Sequence, residues 1–190
     1  MKLFSGLFCN SVESDPPAIN IGDIAHALSN LAKFGGHSDR FFSAAEHGVL
    51  VSRALIGYGP KMRLRGLLNG APAAYLGELP QSVKVQIPLF QKAEERIRKA
   101  IMTRFNLAGN PHPDAVEDAH KRILAIELQD LLNSSDTEIR DVWGLTPPGP
   151  DEGERPVGLL PFEAHGRFLR EYEEIIDALE KSREVGKRAG

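Results

Sequence analysis

Apolar residues recur at helical spacing through most of this chain. After Asn20, the residues Ile21, Ile24, Ala25 and Leu28 repeat with the period of about 3.6 residues that is typical of an α-helix. No alternating apolar and polar run, the pattern of a half-buried strand, reaches six residues. The chain is therefore predicted to fold as an all-α protein.

Capping and helix-breaking residues predict where these helices begin and end. The stripe after Asn20 continues through residues 31–32 and stops at the glycines 35–36. Ser43 and Glu46 form an S-x-x-E capping box, which predicts a helix from Ser43 to about residue 56. Further helices are predicted over 61–68, 88–105, 114–132 and 161–179, with a loop over 134–156 and a frayed tail over 181–190.

The length and charge of the chain limit the kinds of protein it can be. Its 190 residues fit one domain, 1–190, with one sizeable core. A net charge of -3 and the lack of a long apolar segment argue against a nucleic-acid polymer or a membrane as partner. Cys9 is the one cysteine, so no internal disulfide can form and a cytoplasmic location is expected.

The residues taken alone do not assign a chemistry. The sequence has no phosphate-binding glycine loop, no H-E-x-x-H zinc motif and no serine nucleophile elbow. Its six histidines show no metal-ligand spacing. The one odd feature is the segment NGAP at residues 69–72, which interrupts an apolar helical region with poor helix formers.

Two segments carry a resemblance to a known family. The run DIAHALSNLAKFGGHSDRFFSAAEHGVLVSRAL at residues 23–55 resembles the opening of bacterial HD-domain phosphohydrolases similar to 5'-deoxynucleotidases. The run AAYLGELPQSVK at residues 73–84 resembles the family's A-E-A-Y-L-G-D-I-P-x-P-x-K. The resemblance is clearest over residues 3–133. It implies an HD-domain helical bundle that holds one divalent metal ion and removes phosphate from deoxynucleotides, in a protein that often forms homodimers.

The family's metal ligands are mostly replaced in this chain. Its first histidine ligand falls on His47. Its adjacent His-Asp pair falls on Asn69, a weak neutral ligand, and on Gly70, which has no side chain. Its distant aspartate falls on His120. A catalytic divalent site needs about three protein ligands, so we expect no cofactor. If a metal does bind, the expectation is one Mn, Co or Zn ion.

The family's catalytic and substrate-binding positions are also changed. Its water-activating glutamate falls on Ala73, and its assisting aspartate on Glu78, which keeps the charge. The residues that contact phosphate and base fall on Lys33 and Phe34, with His37 at the rim. Lysine keeps a positive charge but not the two-pronged geometry of arginine. Nucleotide binding without hydrolysis is therefore expected at these positions.

Three functional hypotheses follow from these substitutions. The first is a catalytically inactive homologue that binds a nucleotide or a protein partner. The second is an active nucleotide phosphohydrolase with a metal site rebuilt from His47, His120 and Glu78. The third is a different, metal-free reaction in the same cavity, which no residue in the sequence specifies.

Overall fold

The computed structural model of the chain describes residues 1–9, 19–107, 109–110 and 113–188, with side chains described as far as residue 184. The described part is helical, and its β-structure is limited to two isolated bridges, so the predicted all-α class is confirmed. The helices are α1 (Ile21–Ser29), α2 (Ala44–Arg53), α3 (Pro60–Leu67), α4 (Ala73–Leu76), α5 (Gln81–Lys84), α6 (Pro88–Arg104), α7 (Asp114–Leu132), α8 (Asp136–Asp141) and α9 (Pro161–Arg188).

α1 ends at Ser29, earlier than the apolar stripe predicts. The backbone that follows it bonds to the segment that leads into α2, with Lys33 N–H donating to Phe42 O at 2.9 Å and Ala44 N–H donating to Leu31 O at 2.9 Å. These bonds hold residues 31–33 extended or in a short 3₁₀ turn, so the stripe cannot continue as an α-helix.

The capping box at the start of α2 is only half formed. Ser43 Oγ accepts the Glu46 N–H at 3.1 Å, which confirms the predicted N-cap. The Glu46 carboxylate does not return to Ser43. It accepts three successive backbone N–H groups of residues 157–159, at 2.7, 3.1 and 2.8 Å. A fully buried carboxylate therefore ties the segment before α9 to the start of α2.

The C-terminal third departs from prediction in two places. Residues 136–141 were predicted as loop and form α8, which begins with a complete capping box between Ser135 and Glu138. This is the same S-x-x-E signal that predicts α2, so residues 135–138 do carry a helix-start signal. α9 continues to Arg188, past its predicted end at residue 179, and residues 189–190 lie outside the described part.

α2 lies at the centre of the bundle. Every residue from Ala44 to Ser52 is buried, so this helix has no solvent-facing side. α9 packs against α1, α2 and α3, while α7 packs against α2 and α3. α2 and α3 approach closely where a Cβ on Gly48 would lie only 2.9 Å from Leu67 O. α2 therefore presents side chains to several helices at once.

None of the helices in the described ranges is both long and apolar enough to cross a membrane.

Candidate functional site

The centre of the candidate site is His47, which α2 places in the interior of the bundle. Its side chain is 6% exposed. The N-cap of α2 is Ser43, about one helical turn before His47, and this start of the helix sets the direction in which His47 points. His47 is the position at which the family resemblance expects the first metal ligand.

α7 brings two more titratable side chains to this histidine. Glu127 Oε1 lies 2.6 Å from His47 Nδ1, and His120 Nδ1 lies 3.0 Å from His47 Nε2. The two imidazole rings meet edge to face, with an interplanar angle of 84°. His120 and Glu127 lie two helical turns apart on one face of α7, so both can reach the same partner. The three residues form a continuous chain of hydrogen bonds, Glu127–His47–His120.

Burial shifts the pKa values of the three hydrogen-bonded residues Glu127, His47 and His120. It lowers the pKa of His47 and of His120 to about 3 in each case, and nearby Lys33 adds to the effect. It also raises the pKa of Glu127 to about 8. Burial therefore favours the uncharged form of all three groups. In that form the Glu127 carboxyl O–H donates to His47 Nδ1, and the His47 Nε2–H donates to His120 Nδ1.

The remaining oxygen of Glu127 is consistent with this neutral form. Oε2 is buried and has no hydrogen-bond partner among the described residues. An unpaired carbonyl oxygen in that position costs much less free energy than part of an unpaired carboxylate charge. In this neutral form the proton shared by Glu127 and His47 lies on Glu127, the more deeply buried of the two residues.

A charged pair lies within electrostatic reach of these three residues. Lys33 Nζ contacts Glu78 Oε1 at 2.6 Å, and the two side chains are 13% and 32% exposed. Lys33 lowers the pKa of His47, and Glu78 opposes it. The structure thus brings together four of the residues singled out in the sequence, namely Lys33, His47, Glu78 and His120.

The turn between α3 and α4 holds Asn69 and Gly70, the two residues on which the resemblance places an adjacent His-Asp pair of metal ligands. Asn69 is anchored through its backbone, since Arg98 Nη1 donates to Asn69 O at 2.6 Å. Its side chain makes no hydrogen bond to His47 or His120 within the described part of the chain. A Cβ added to Gly70 would meet no atom within 4 Å. Space for a side chain therefore exists at Gly70, although the residue itself contributes none.

Phe34 and His37 are placed differently from each other. Phe34 is half-buried and packs against two clusters of core residues, so it serves the core at least in part. It has a positive φ of 55°, which is uncommon outside glycine. His37 is exposed and lies outside the Glu127–His47–His120 chain. Its backbone N–H donates to Phe34 O at 3.1 Å, but its side chain lies apart from His47 and His120.

The donors present do not fit the metal ion that the family resemblance implies. Across the residues that the structure describes, no three His, Cys, Asp or Glu side chains are arranged to hold a metal. His47 and His120 are two nitrogen donors that already contact each other, and Glu78 is paired with Lys33. This donor set is short of the three or so ligands, some of them anionic, that a catalytic divalent ion requires.

Glu127 is the site residue that the sequence reasoning missed. A signal for it exists, because an acidic residue there interrupts the buried stripe formed by Ala125, Ile126 and Leu128. A charged residue on the buried side of a helix is rare unless it has a partner. What the sequence could not indicate was that the partner is His47 on another helix.

Comparison with known proteins identifies relatives but no activity. No family model matches the chain. The uncharacterized protein RCAP_rcc00048 of Rhodobacter capsulatus is 30% identical over 157 residues, which cover 77% of this chain and 80% of that protein. This chain belongs to the same family as RCAP_rcc00048. This chain is also similar to the uncharacterized protein YfdR of Escherichia coli, with 28% identity over 93% of this chain and 96% of YfdR.

Proposed function

We propose that this chain is an HD-domain-like protein that has lost metal-dependent hydrolysis and binds a nucleotide without cleaving it. The observation that carries this proposal is the state of His47, whose two ring nitrogens are both hydrogen-bonded within the protein, to Glu127 and to His120. A histidine that ligates a metal must leave one nitrogen for the ion. In this chain His47 Nε2 is already engaged by His120 Nδ1, at 3.0 Å.

Ala73 supports the loss of hydrolysis independently of the metal. It stands at the family's catalytic glutamate, and its methyl group cannot activate a water molecule. The absence of a general base lowers a rate by roughly 100- to 10,000-fold. Restoring a metal alone would therefore leave hydrolysis slow.

Lys33 supports nucleotide binding. It is a largely buried cation next to the neutral histidines, and a phosphate group would replace Glu78 as its partner. A charge-assisted hydrogen bond to a phosphate oxygen is stronger than a neutral one. The carboxylate of Glu78 competes with phosphate for the same ammonium group, so removing its charge should strengthen phosphate binding.

The test combines metal analysis with binding calorimetry. The purified protein is dialysed against Mn, Co or Zn, analysed for bound metal, assayed for phosphate release, and titrated with deoxynucleoside monophosphates. We expect less than about 0.1 metal per chain, no phosphate release, and binding that Lys33→Ala abolishes and Glu78→Gln strengthens by about tenfold. Lys61→Ala, which removes an exposed lysine on α3, is the matched control. Binding that is equal in Lys33→Ala and Lys61→Ala would contradict the proposal.

A second candidate, an active phosphohydrolase with a rebuilt metal site, is favoured by one contact. Metal-ligating histidines usually pair their other ring nitrogen with a carboxylate, and Glu127 holds His47 Nδ1 in that way. The same experiment separates the two candidates. About one metal per chain together with phosphate release would favour this one.

A further inference from the structure

The hydrogen-bond chain Glu127–His47–His120 ends at a ring nitrogen that reaches the surface. His120 Nε2 has no hydrogen-bond partner among the described residues, and it is not one of their buried side-chain atoms that lack a partner. His120 itself is half-buried. Its Nε2 is therefore open to solvent, while its Nδ1 faces His47 at 3.0 Å. The structure thus leaves one polar atom of this chain of hydrogen bonds available to a ligand.

The direction of the internal hydrogen bonds decides what this nitrogen offers. A neutral imidazole carries one N–H and one bare nitrogen. Glu127 Oε2 is buried without a partner among the described residues, which favours a protonated carboxyl group and makes Glu127 the donor to His47 Nδ1. His47 Nε2–H then donates to His120 Nδ1, so the proton of His120 lies on Nε2. His120 therefore presents an N–H donor to the solvent.

Lys33 carries further unspent donors close to His120. An ammonium group has three N–H donors, and Lys33 Nζ makes one hydrogen bond within the described part of the chain, to Glu78 Oε1 at 2.6 Å. Phe34, the next residue, packs against the buried cluster that includes Ala119, the neighbour of His120 on α7. Burial lowers the pKa of His120, and Lys33 is close enough to contribute to that effect. A cationic donor and a neutral donor therefore lie side by side.

The carboxylates around these donors already have partners. Glu78 pairs with Lys33 at 2.6 Å. Glu117, one helical turn before His120, pairs with Lys121 at 2.8 Å. Two neighbouring donors, one of them charged, suit a ligand with several anionic oxygens close together. A phosphate monoester has three such oxygens, so it can accept from both donors at once and release Glu78 to solvent.

We propose that the phosphate group of the bound nucleotide accepts hydrogen bonds from His120 Nε2 and Lys33 Nζ, so that His120 supplies the contact that a metal ion makes in the proteins this chain resembles. This inference rests on the proposed nucleotide binding and names the residue that recognises the phosphate. Glu127 and His47 act as positioning residues, because they fix the tautomer and the orientation of His120. Inorganic phosphate offers the same oxygens and serves as a second probe.

Long-range proton–nitrogen NMR of the full chain, with nitrogen-15-labelled histidine, reads the tautomer of His120 directly. Spectra are recorded at pH 7, and the His120→Asn variant assigns the signals of this residue. We expect a protonated Nε2 and a bare Nδ1, and the Nε2 signal should shift when inorganic phosphate is added. A bare Nε2 would overturn the proposal whether or not a nucleotide binds.

Calorimetric titration compares two substitutions at the same position. The amide of asparagine lies as far from the backbone as Nδ1, so His120→Asn keeps a contact to His47 and loses the outward donor. The amide of glutamine reaches the position of Nε2, so His120→Gln keeps that donor. We expect His120→Asn to weaken binding of inorganic phosphate and of a deoxynucleoside monophosphate by about tenfold, and His120→Gln by less than about threefold. His26→Asn, which removes a histidine that stacks on Phe4, is the control and should change neither affinity.

The outcomes separate this inference from the proposed function. A nucleotide that binds wild type and His120→Asn equally well would overturn the phosphate contact and leave nucleotide binding intact. Inorganic phosphate that binds through His120, with no binding of the nucleotide, would support the contact and contradict the proposed function. No binding of either probe at millimolar concentration would overturn both.

Discussion

Both ring nitrogens of His47 are engaged by protein groups, and this limits what single substitutions can restore. Replacing Asn69 and Gly70 would return two ligands to the turn before α4, and the free space at Gly70 should accommodate an aspartate. His120 would still occupy His47 Nε2, and Ala73 would still lack a base. The proposed loss of hydrolysis thus rests on several residues together.

We therefore predict that Asn69→His with Gly70→Asp folds normally but releases no phosphate from deoxynucleoside monophosphates. Activity should require Ala73→Glu and His120→Asp in addition, because these changes supply the base and free His47. A phosphate-release assay with added Mn or Co compares the double and quadruple variants, and circular dichroism checks their folding. Full turnover by the double variant would contradict the prediction that Ala73→Glu and His120→Asp are also required.

Glu171 makes the stability of the protein dependent on pH. Burial raises its pKa, but hydrogen bonds from Ser52, Arg63 and Arg53 outweigh burial and hold the pKa below its usual value of 4.5. A depressed folded-state pKa contributes stability above 4.5 that is lost as the pH falls through the folded-state value. Protonation of Glu171 therefore lowers the stability of the protein only at pH values below about 4.5.

Glu171→Gln should lower the free energy of unfolding at pH 7 by about 2 kcal/mol, since it removes the charged acceptor of the hydrogen bonds from Ser52, Arg53 and Arg63. Urea denaturation at pH 7 and at about pH 3.5 measures the difference between wild type and variant. That difference should narrow at the lower pH, because Glu171 of the unfolded chain is largely protonated there. A difference that is the same at both values would be evidence against the ion-pair network.

At the scale of elements, the contact between α2 and α3 depends on glycine. A Cβ on Gly48 would lie 2.9 Å from Leu67 O, and one on Gly66 would lie 2.7 Å from Leu55 Cδ1. Carbonyl oxygens within a helix cannot move aside as a flexible side chain can. At Gly48 the two helices are therefore closer than a residue with a Cβ would permit without a shift of the backbone.

Gly48→Ala should destabilise the protein by about 1–3 kcal/mol through overpacking. The clash with backbone outweighs the roughly 1 kcal/mol that alanine gains over glycine within a helix. Gly57→Ala is the matched control, because a Cβ there would meet nothing within 4 Å. Chemical denaturation of both variants measures the effect, and a Gly48→Ala protein as stable as wild type would show that the helices can separate at little cost.

Many of the helix bounds could be predicted from the sequence. The bounds of α3, α6 and α7 lie within a residue or so of those expected, because caps and helical periodicity act over one or two turns. The early end of α1 could not be predicted, because it results from bonds between residues 31–33 and 42–44. At the site, His47, His120 and Glu78 were found through the family resemblance, while Glu127 became evident only from its contact.

At the scale of the whole molecule, α2 and α7 connect the clusters of buried side chains. α2 contributes to two of the three clusters, and α7 joins one of these to the third, which includes Ile139 of α8. α9 closes the bundle with the fully buried Phe168. Because the clusters share helices, we expect them to unfold together.

Phe168→Ala should lower the free energy of unfolding by about 3–5 kcal/mol. The fluorescence of Trp143, at the end of α8, and far-UV circular dichroism should report the same urea midpoint in wild type and variant, although Trp143 is remote in sequence from the substitution. Phe162→Ala removes an exposed phenylalanine from the same helix and should change stability by less than about 0.5 kcal/mol. Different midpoints for the two probes would indicate separately folding parts.

The sequence by itself determined the helical class and most helix bounds, and it carried the resemblance from which candidate metal and catalytic positions were inferred. Each of these depends on local spacing or on a residue's own chemistry. Tertiary structure alone decided that Glu127 meets His47, that Lys33 pairs with Glu78, and that Glu46 binds residues 157–159. These partners are separated by 80, 45 and 111 or more positions. Such contacts depend on how helices pack, which local periodicity does not specify.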